Sequence, residues 1–313
     1  MSGSPATKPV LVNLYEHKTD RLLTAAADEH GERLLTKVRV ADVIDIDRLG
    51  VTGRARSYAL AAHFDFVMVD EATRPRFAVE FDGSLHRTDA RTIERDAIKD
   101  HLCQAADLPL LRITSRFTMS DTRWPILTYL VDAFYKSEVF DEAQEAGLID
   151  ADEPFDAGTF LIRNPDGRLT FNTLDAEALL SLLQHWQAGR ISSYGTESWI
   201  TAVPDATGYQ AHAWMAVAHD RYLISHVTIH PYRFAGVGPT ELADQLATVE
   251  IAEMVDAWLT SPDQAVACDG RALGKAMREV QAAIDAGGFL GCHGYSGALV
   301  AGGTVTETVR VPR

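Results

Sequence analysis

Cysteine is scarce in this chain of 313 residues: three occur, Cys103, Cys268 and Cys292, far apart. That excludes a disulfide framework and a cysteine-built zinc site. No apolar run approaches the roughly 18 residues a membrane span requires, and the opening MSGSPATKPV has no hydrophobic signal core, so a soluble, cytoplasmic protein without a membrane partner is expected. Basic residues are the minority, 29 against 44 acidic, for a formal net charge of -15. A polybasic nucleic-acid binder is thereby excluded, but an enzyme that meets DNA through a local basic strip and bound metal ions is not. Neither a phosphate-binding glycine loop nor a dinucleotide fingerprint occurs, and there is no internal repeat or low-complexity tract. His226 and His230 have the spacing of a helical zinc pair, but SHVTIHP reads as strand, where that spacing spans about 13 Å.

What remains is ordinary globular material, 46% hydrophobic and 23% charged, enough for two domains. The acidic stretch DEAQEAGLIDADEPFDAG marks the composition shift between them. The expected organisation is a first domain over 1–140, a linker over 141–157 and a second, α+β domain over 158–313. In the first half, Leu14–Glu29 has helical periodicity and Thr36–Ile46 reads as strand, or strand plus turn. Gly50–Ala59 reads as a basic loop, His63–Val69 and Arg76–Asp82 as strands, and Thr88–Asp107 as a helix capped by Thr88 or Asp89. Leu110–Thr114 is a short buried strand and Trp124–Tyr135 a closing helix. The order is αβββαβ plus a helix, an α/β layer. In the second half, Ala176–Gln187, Pro239–Leu259 and Ala272–Ala286 read as helices. Gln210–Val217 and Tyr222–Ile229 read as a hairpin around AHDR, and Ala298–Val311 as terminal strand.

The chemistry-bearing residues lie on the two neighbouring strands. Alternation places Asp65 with His63, Val67 and Val69 on one face of HFDFVMV, and Glu80 with Arg76, Ala78 and Asp82 on one face of RFAVEFD. Each strand then buries its opposite, aromatic face. If the strands pair, Asp65, Glu80 and Asp82 converge. Like charges about 4–6 Å apart cost a few kcal/mol per pair at an effective dielectric near 20. A hard divalent cation, Mg2+ or Mn2+, relieves that cost and activates water for phosphodiester hydrolysis. The window Arg54–Arg116 holds 10 basic and 10 acidic residues, so a nucleic-acid footprint is expected there. Blander readings stay open. Asp82-Gly83 also reads as a turn, His86 as a loop histidine, and Arg95, Asp96 and Lys99 as exposed helix ion pairs.

Taken together, the helix carrying Glu16, FDF with Asp65, VEFDGSLH with Glu80, Asp82 and His86, and then LLRIT resemble the PD-(D/E)XK nuclease superfamily. The branch related to very-short-patch-repair endonucleases is the most similar. AVEFDGSLH…RDAIKDHLCQAADLPLLRI, Ala78 to Ile113, is also similar to an uncharacterised bacterial family grouped with those nucleases. The resemblance covers roughly residues 12–116. It implies a restriction-endonuclease-like core, DNA rather than RNA as substrate, and a setting in repair, restriction or defence. Asp65 and Glu80 would hold the metal, Asp82 would assist, and Glu16 would reach it directly or through water. One departure matters: Asp82 stands where the superfamily usually has lysine, two residues after the strand glutamate. Lys99, one helical turn after Arg95, is the candidate for the displaced cation, and His86 for general base or leaving-group acid. Arg95, with Arg91 and Arg87, would meet phosphate. The alternatives are a catalytically inactive nuclease-fold module that binds nucleic acid, and a regulatory subunit meeting a protein partner or a second copy through the C-terminal domain.

Overall fold

A computed structural model describes residues 13–82, 90–119, 125–163, 169–171, 173–203, 208–261, 267–293, 298–301 and 304–308. Among the described residues the chain is mixed α/β, with eight α-helices and two four-stranded sheets beside two short hairpin-like pairs. None of those helices is long and apolar enough to cross a membrane. The chain divides into two compact units. Unit 1 holds residues 1–151 together with 232–236, and unit 2 holds 152–231 and 237–313.

Unit 1 opens with α1 (Leu14–His30). Its start is a capping box: the Asn13 side chain accepts from the Glu16 N–H at 2.8 Å while the Glu16 carboxylate reaches back to the Asn13 N–H. Gly31, at φ 68°, ends the helix in the left-handed conformation. Then follow β1 (Arg33–Arg39), a single helical turn α2 (Val40–Val43) and α3 (Gly53–Ala61). The segment expected as a basic loop is therefore largely helix. Its sequence RARSYALA contains adequate helix formers, but only Ala59 is fully buried, so no apolar stripe announces it. β2 (His63–Val69) and β3 (Pro75–Phe81) come next, then α4 (Ala90–Ala105), β4 (Leu110–Ile113) and α5 (Ile126–Glu145). The start of the acidic segment expected as linker thus continues α5 as far as Glu145. The proposed caps of α4, Thr88 and Asp89, lie outside the described residues.

The sheet runs β1-β2-β3-β4, antiparallel except for the parallel pair β3–β4, whose crossover is α4. Both faces are buried, where one was expected. Val67, Val69 and Ala78 pack with Ala59, Leu102 and Cys103 under α3 and α4. On the other face Phe77 meets Phe134 of α5 edge-on, with ring centroids 5.1 Å apart. Phe234, from the segment that returns to unit 1 more than eighty residues later, stacks on Phe134 and stands edge-on to Phe77. The Leu110 N–H donates to the Arg233 carbonyl at 3.2 Å. Gly236, at φ 95°, lets this segment approach α5: a Cβ there would lie 2.6 Å from the Ala133 carbonyl carbon and oxygen. Arg76 ties the start of β3 to both ends of this layer, pairing with Glu32 at 3.0 Å and with Glu138 of α5.

Unit 2 begins with the short pair β5 (Leu161–Arg163) and β6 (Leu169–Phe171), followed by α6 (Ala176–Gln187). Its main sheet uses β7 (Glu197–Ala202), β8 (Tyr209–Ala218) and β9 (Arg221–Ile229); α7 (Pro239–Thr260) and α8 (Gly270–Ala283) follow, then β10 (Phe289–His293). The order is β10-β7-β8-β9, all antiparallel. Trp199 and Trp214 pack with Leu273, Met277 and Val280 of α8. α7 is tied to the sheet by polar bonds: Ser198 to Asp244, Thr196 to Thr248, and Ser225 to Glu250. A hairpin of β11 (Ala298–Ala301) and β12 (Thr304–Thr308) ends the described residues.

Candidate functional site

In unit 1 the ladder between β2 and β3 gives out after Phe66↔Val79, so Asp65 and Glu80 face each other one step further along. There the carboxylates replace backbone carbonyls as acceptors. The Asp65 N–H donates to Glu80 Oε1 at 3.3 Å, and the Phe81 N–H donates to Asp65 Oδ2 at 2.9 Å. Each strand thus satisfies a backbone donor of the other with a side chain, which holds both carboxylates where the strands part.

The same level of the sheet is irregular on its other side. In β1, Thr36 and Val38 pair with Phe66 and Phe64, so Lys37 stands opposite Asp65. Lys37 has φ 53°, a left-handed conformation costing a non-glycine residue about 1–3 kcal/mol. Strict alternation also fails here: Phe64 packs with Val67 and Val69, on the side where Asp65 was expected. The Lys37 ammonium bridges two carboxylates, Asp65 Oδ1 at 2.6 Å and Glu16 Oε1 at 3.2 Å. Glu16 is held for this contact by the capping box of α1. Burial works against the charge on Lys37, but the Asp65 and Glu16 carboxylates outweigh it and raise its pKa.

Glu80 has a cation of its own. Lys99 of α4 reaches Glu80 Oε1 at 2.7 Å, donates to the His63 carbonyl at 2.9 Å and lies over the Phe64 ring. The Lys99 side chain is 6% exposed and that of Glu80 11%. Burial pushes the Glu80 carboxyl up to about 7, with the Asp65 charge acting in the same direction and Lys99 against both. Glu16, Lys37, Asp65, Glu80 and Lys99 therefore form one line across α1, β1, β2, β3 and α4, in which every carboxylate touches an ammonium. The repulsion expected between bare carboxylates is relieved here by lysines.

Asp82 belongs to a different cluster. Its N–H donates to the Ile113 carbonyl, extending the pairing to β4, and its carboxylate is drawn to Arg112 at 3.3 Å. Arg112 also meets Asp96 and Asp100 of α4. Burial opposes the guanidinium charge, but Asp100, Asp82 and Asp96 outweigh it and raise its pKa. An arginine inside the apolar run LLRIT was the available signal, since a buried guanidinium needs carboxylates. The Arg95 guanidinium lies over the Tyr58 ring, 5.9 Å from its centroid. His86 and Arg87 lie outside the described residues, as does the side chain of Arg91. Lys37 was missed altogether, because TKVRV reads as plain strand.

Hard oxygen donors suit Mg2+ or Mn2+, and Mg2+ is commonly held by one or two carboxylates with water completing its shell. Asp65 and Glu80 supply such a pair, and Glu16 leans toward the same ammonium as Asp65. Among the described residues no group of three or more His, Cys, Asp or Glu is gathered closely enough to hold a metal ion. In unit 2, His226 pairs across the strands with His212, Nδ1 to Nδ1 at 3.1 Å, and His212 Nε2 meets Thr201 Oγ1 at 3.0 Å.

Residues 8–126, which include the whole line from Glu16 to Lys99, match the model of a protein family of unknown function, DUF2726. No curated protein matches the chain, and no solved structure does.

Proposed function

We propose that unit 1 is a nuclease core of the PD-(D/E)XK, restriction-endonuclease-like type, which hydrolyses phosphodiester bonds in DNA with Mg2+ or Mn2+. The observation that carries this reading is the Asp65–Glu80 exchange: two carboxylates fixed against each other where the central strands part, with lysines beside them. Asp65 and Glu80 would hold the ion, and Glu16 would reach it directly or through water. When bound, the ion supplies a more acidic water and stabilises charge at phosphorus. Lys99, buried and triply held, keeps Glu80 in place. Arg95, with Arg91 and Arg87, would meet phosphate, and His86 remains the candidate proton carrier.

The lysines also favour a second reading. With each carboxylate already neutralised, the same fold could bind nucleic acid without cutting it. Cleavage of plasmid DNA in Mg2+ or Mn2+ separates the two. Nicking or linearisation by the wild-type protein, lost by at least about 10²-fold in Glu80→Ala and Asp65→Ala, supports the nuclease. Cleavage that survives in Glu80→Ala sinks the site assignment. DNA binding with no cleavage in either metal leaves the binding module.

A further inference from the structure

We infer that Lys37 is a displaceable counter-ion, which occupies the carboxylates of Glu16 and Asp65 until a divalent cation takes them. This rests on the carboxylate-site reading above and deepens it. Four observations carry it. The ammonium bridges the two carboxylates at 3.2 and 2.6 Å, so it holds the donors that a metal would need. Its backbone sits at φ 53°, which lysine has no intrinsic reason to adopt; the conformation is kept by its surroundings. Lys37 also stands directly opposite Asp65 in register, so its side chain is delivered there by the sheet itself. Finally, its side chain is 31% exposed, whereas that of Lys99 is 6% exposed and tied to Glu80, the His63 carbonyl and the Phe64 ring. Lys37 has solvent to withdraw into, and Lys99 has none.

Two cations cannot occupy the same carboxylate oxygens, so metal binding includes the cost of ejecting the ammonium. Removing Lys37 removes that competitor. The paired substitutions are Lys37→Gly, which accepts the left-handed backbone without strain, and Lys37→Met, which keeps the aliphatic stem. Mn2+ binding to the full chain, followed by calorimetry and by the loss of the free-Mn2+ electron-resonance signal, is the measurement, with circular dichroism confirming the fold. Both variants are expected to bind Mn2+ about tenfold more tightly than wild type, the scale of a single competing interaction. Unchanged or weaker Mn2+ binding in the folded Lys37→Gly protein overturns the inference. Asp65→Asn is the control for the underlying reading. If it binds Mn2+ as wild type does, the carboxylate site is not a metal site at all. If it loses Mn2+ while Lys37→Gly keeps the wild-type affinity, only the role of Lys37 fails.

Discussion

At Glu80 and Lys99 two buried charges meet at 2.7 Å, with little water to screen them. Deleting one partner of such a pair strands the other, at a cost of about 3–5 kcal/mol. Lys99→Met is therefore expected to lower the unfolding free energy toward that range, eased where Glu80 takes up a proton, and urea titration at pH 7 measures it. A shift below about 1 kcal/mol would place the pair in the class of surface contacts. The histidine pair in unit 2 gives a pH dependence of known sign. Burial, and then the charge of His226, lowers the His212 pKa from 6.5 to about 4. Burial also lowers His226, against the pull of Glu279 and Glu250. Because the folded pKa of His212 is depressed, the unfolded chain binds more protons between pH 6.5 and 4. Stability from this group is complete above pH 6.5 and is lost as pH falls toward 4. From pH 7.5 to 5.5 the loss is expected to be about 1.4 kcal/mol. Four of the five tryptophans, Trp186, Trp199, Trp214 and Trp258, lie in unit 2, so fluorescence-detected urea melts read it. A His212→Leu protein with the same pH slope as wild type would refute the assignment. The site itself was partly legible. Two-residue alternation singled out Asp65 and Glu80, and helix spacing brought Lys99 into consideration. Asp82 went astray because its partner Arg112 lies 30 residues on, and the signal in LLRIT calls for carboxylates without saying which; Lys37 was invisible because lysine carries no preference for positive φ.

Among the elements, legibility followed periodicity. β2 has the expected bounds of His63–Val69, and α6 those of Ala176–Gln187, since each has an unbroken apolar pattern. β8 and β9 form the expected hairpin, each one residue longer at the turn, and β8 one residue longer at its start as well. α3 escaped because its burial rests on one alanine, and β1 because it starts three residues earlier than its β-branched residues suggest. α1 shows an element and the site sharing one residue. Glu16 closes the capping box and also accepts from Lys37, so the helix cap orients the carboxylate. Asn13→Ala is expected to cost about 1 kcal/mol, as loss of an N-cap does. Amide hydrogen exchange should accelerate in the first turn of α1 and at the N–H of Glu16. Unaltered protection there would mean that tertiary packing alone fixes this end.

For the molecule as a whole, the division into units does not follow the order of the chain. Residues 232–236 belong to unit 1, and Phe234 completes its Phe77–Phe134 cluster. A boundary drawn from composition cannot see this, because YRFAG looks like any loop and its partners are distant in sequence. Phe234→Ala removes a ring that is 8% exposed and is expected to destabilise unit 1 by about 3–5 kcal/mol. Protection factors in α5 are the readout. A loss confined to unit 2 amides would show that the ring contributes nothing to the sheet that carries Asp65 and Glu80.

That returning segment also sets a clock. A ribosome makes about 5–20 residues per second. On the order of 80 residues separate the end of unit 1's first stretch from Phe234, so some seconds pass before the last piece of its core exists. Until then Phe77 and Phe134 lack the ring that packs against both. The N-terminal half, though first to be made, waits for a piece that follows about half of unit 2 in the chain.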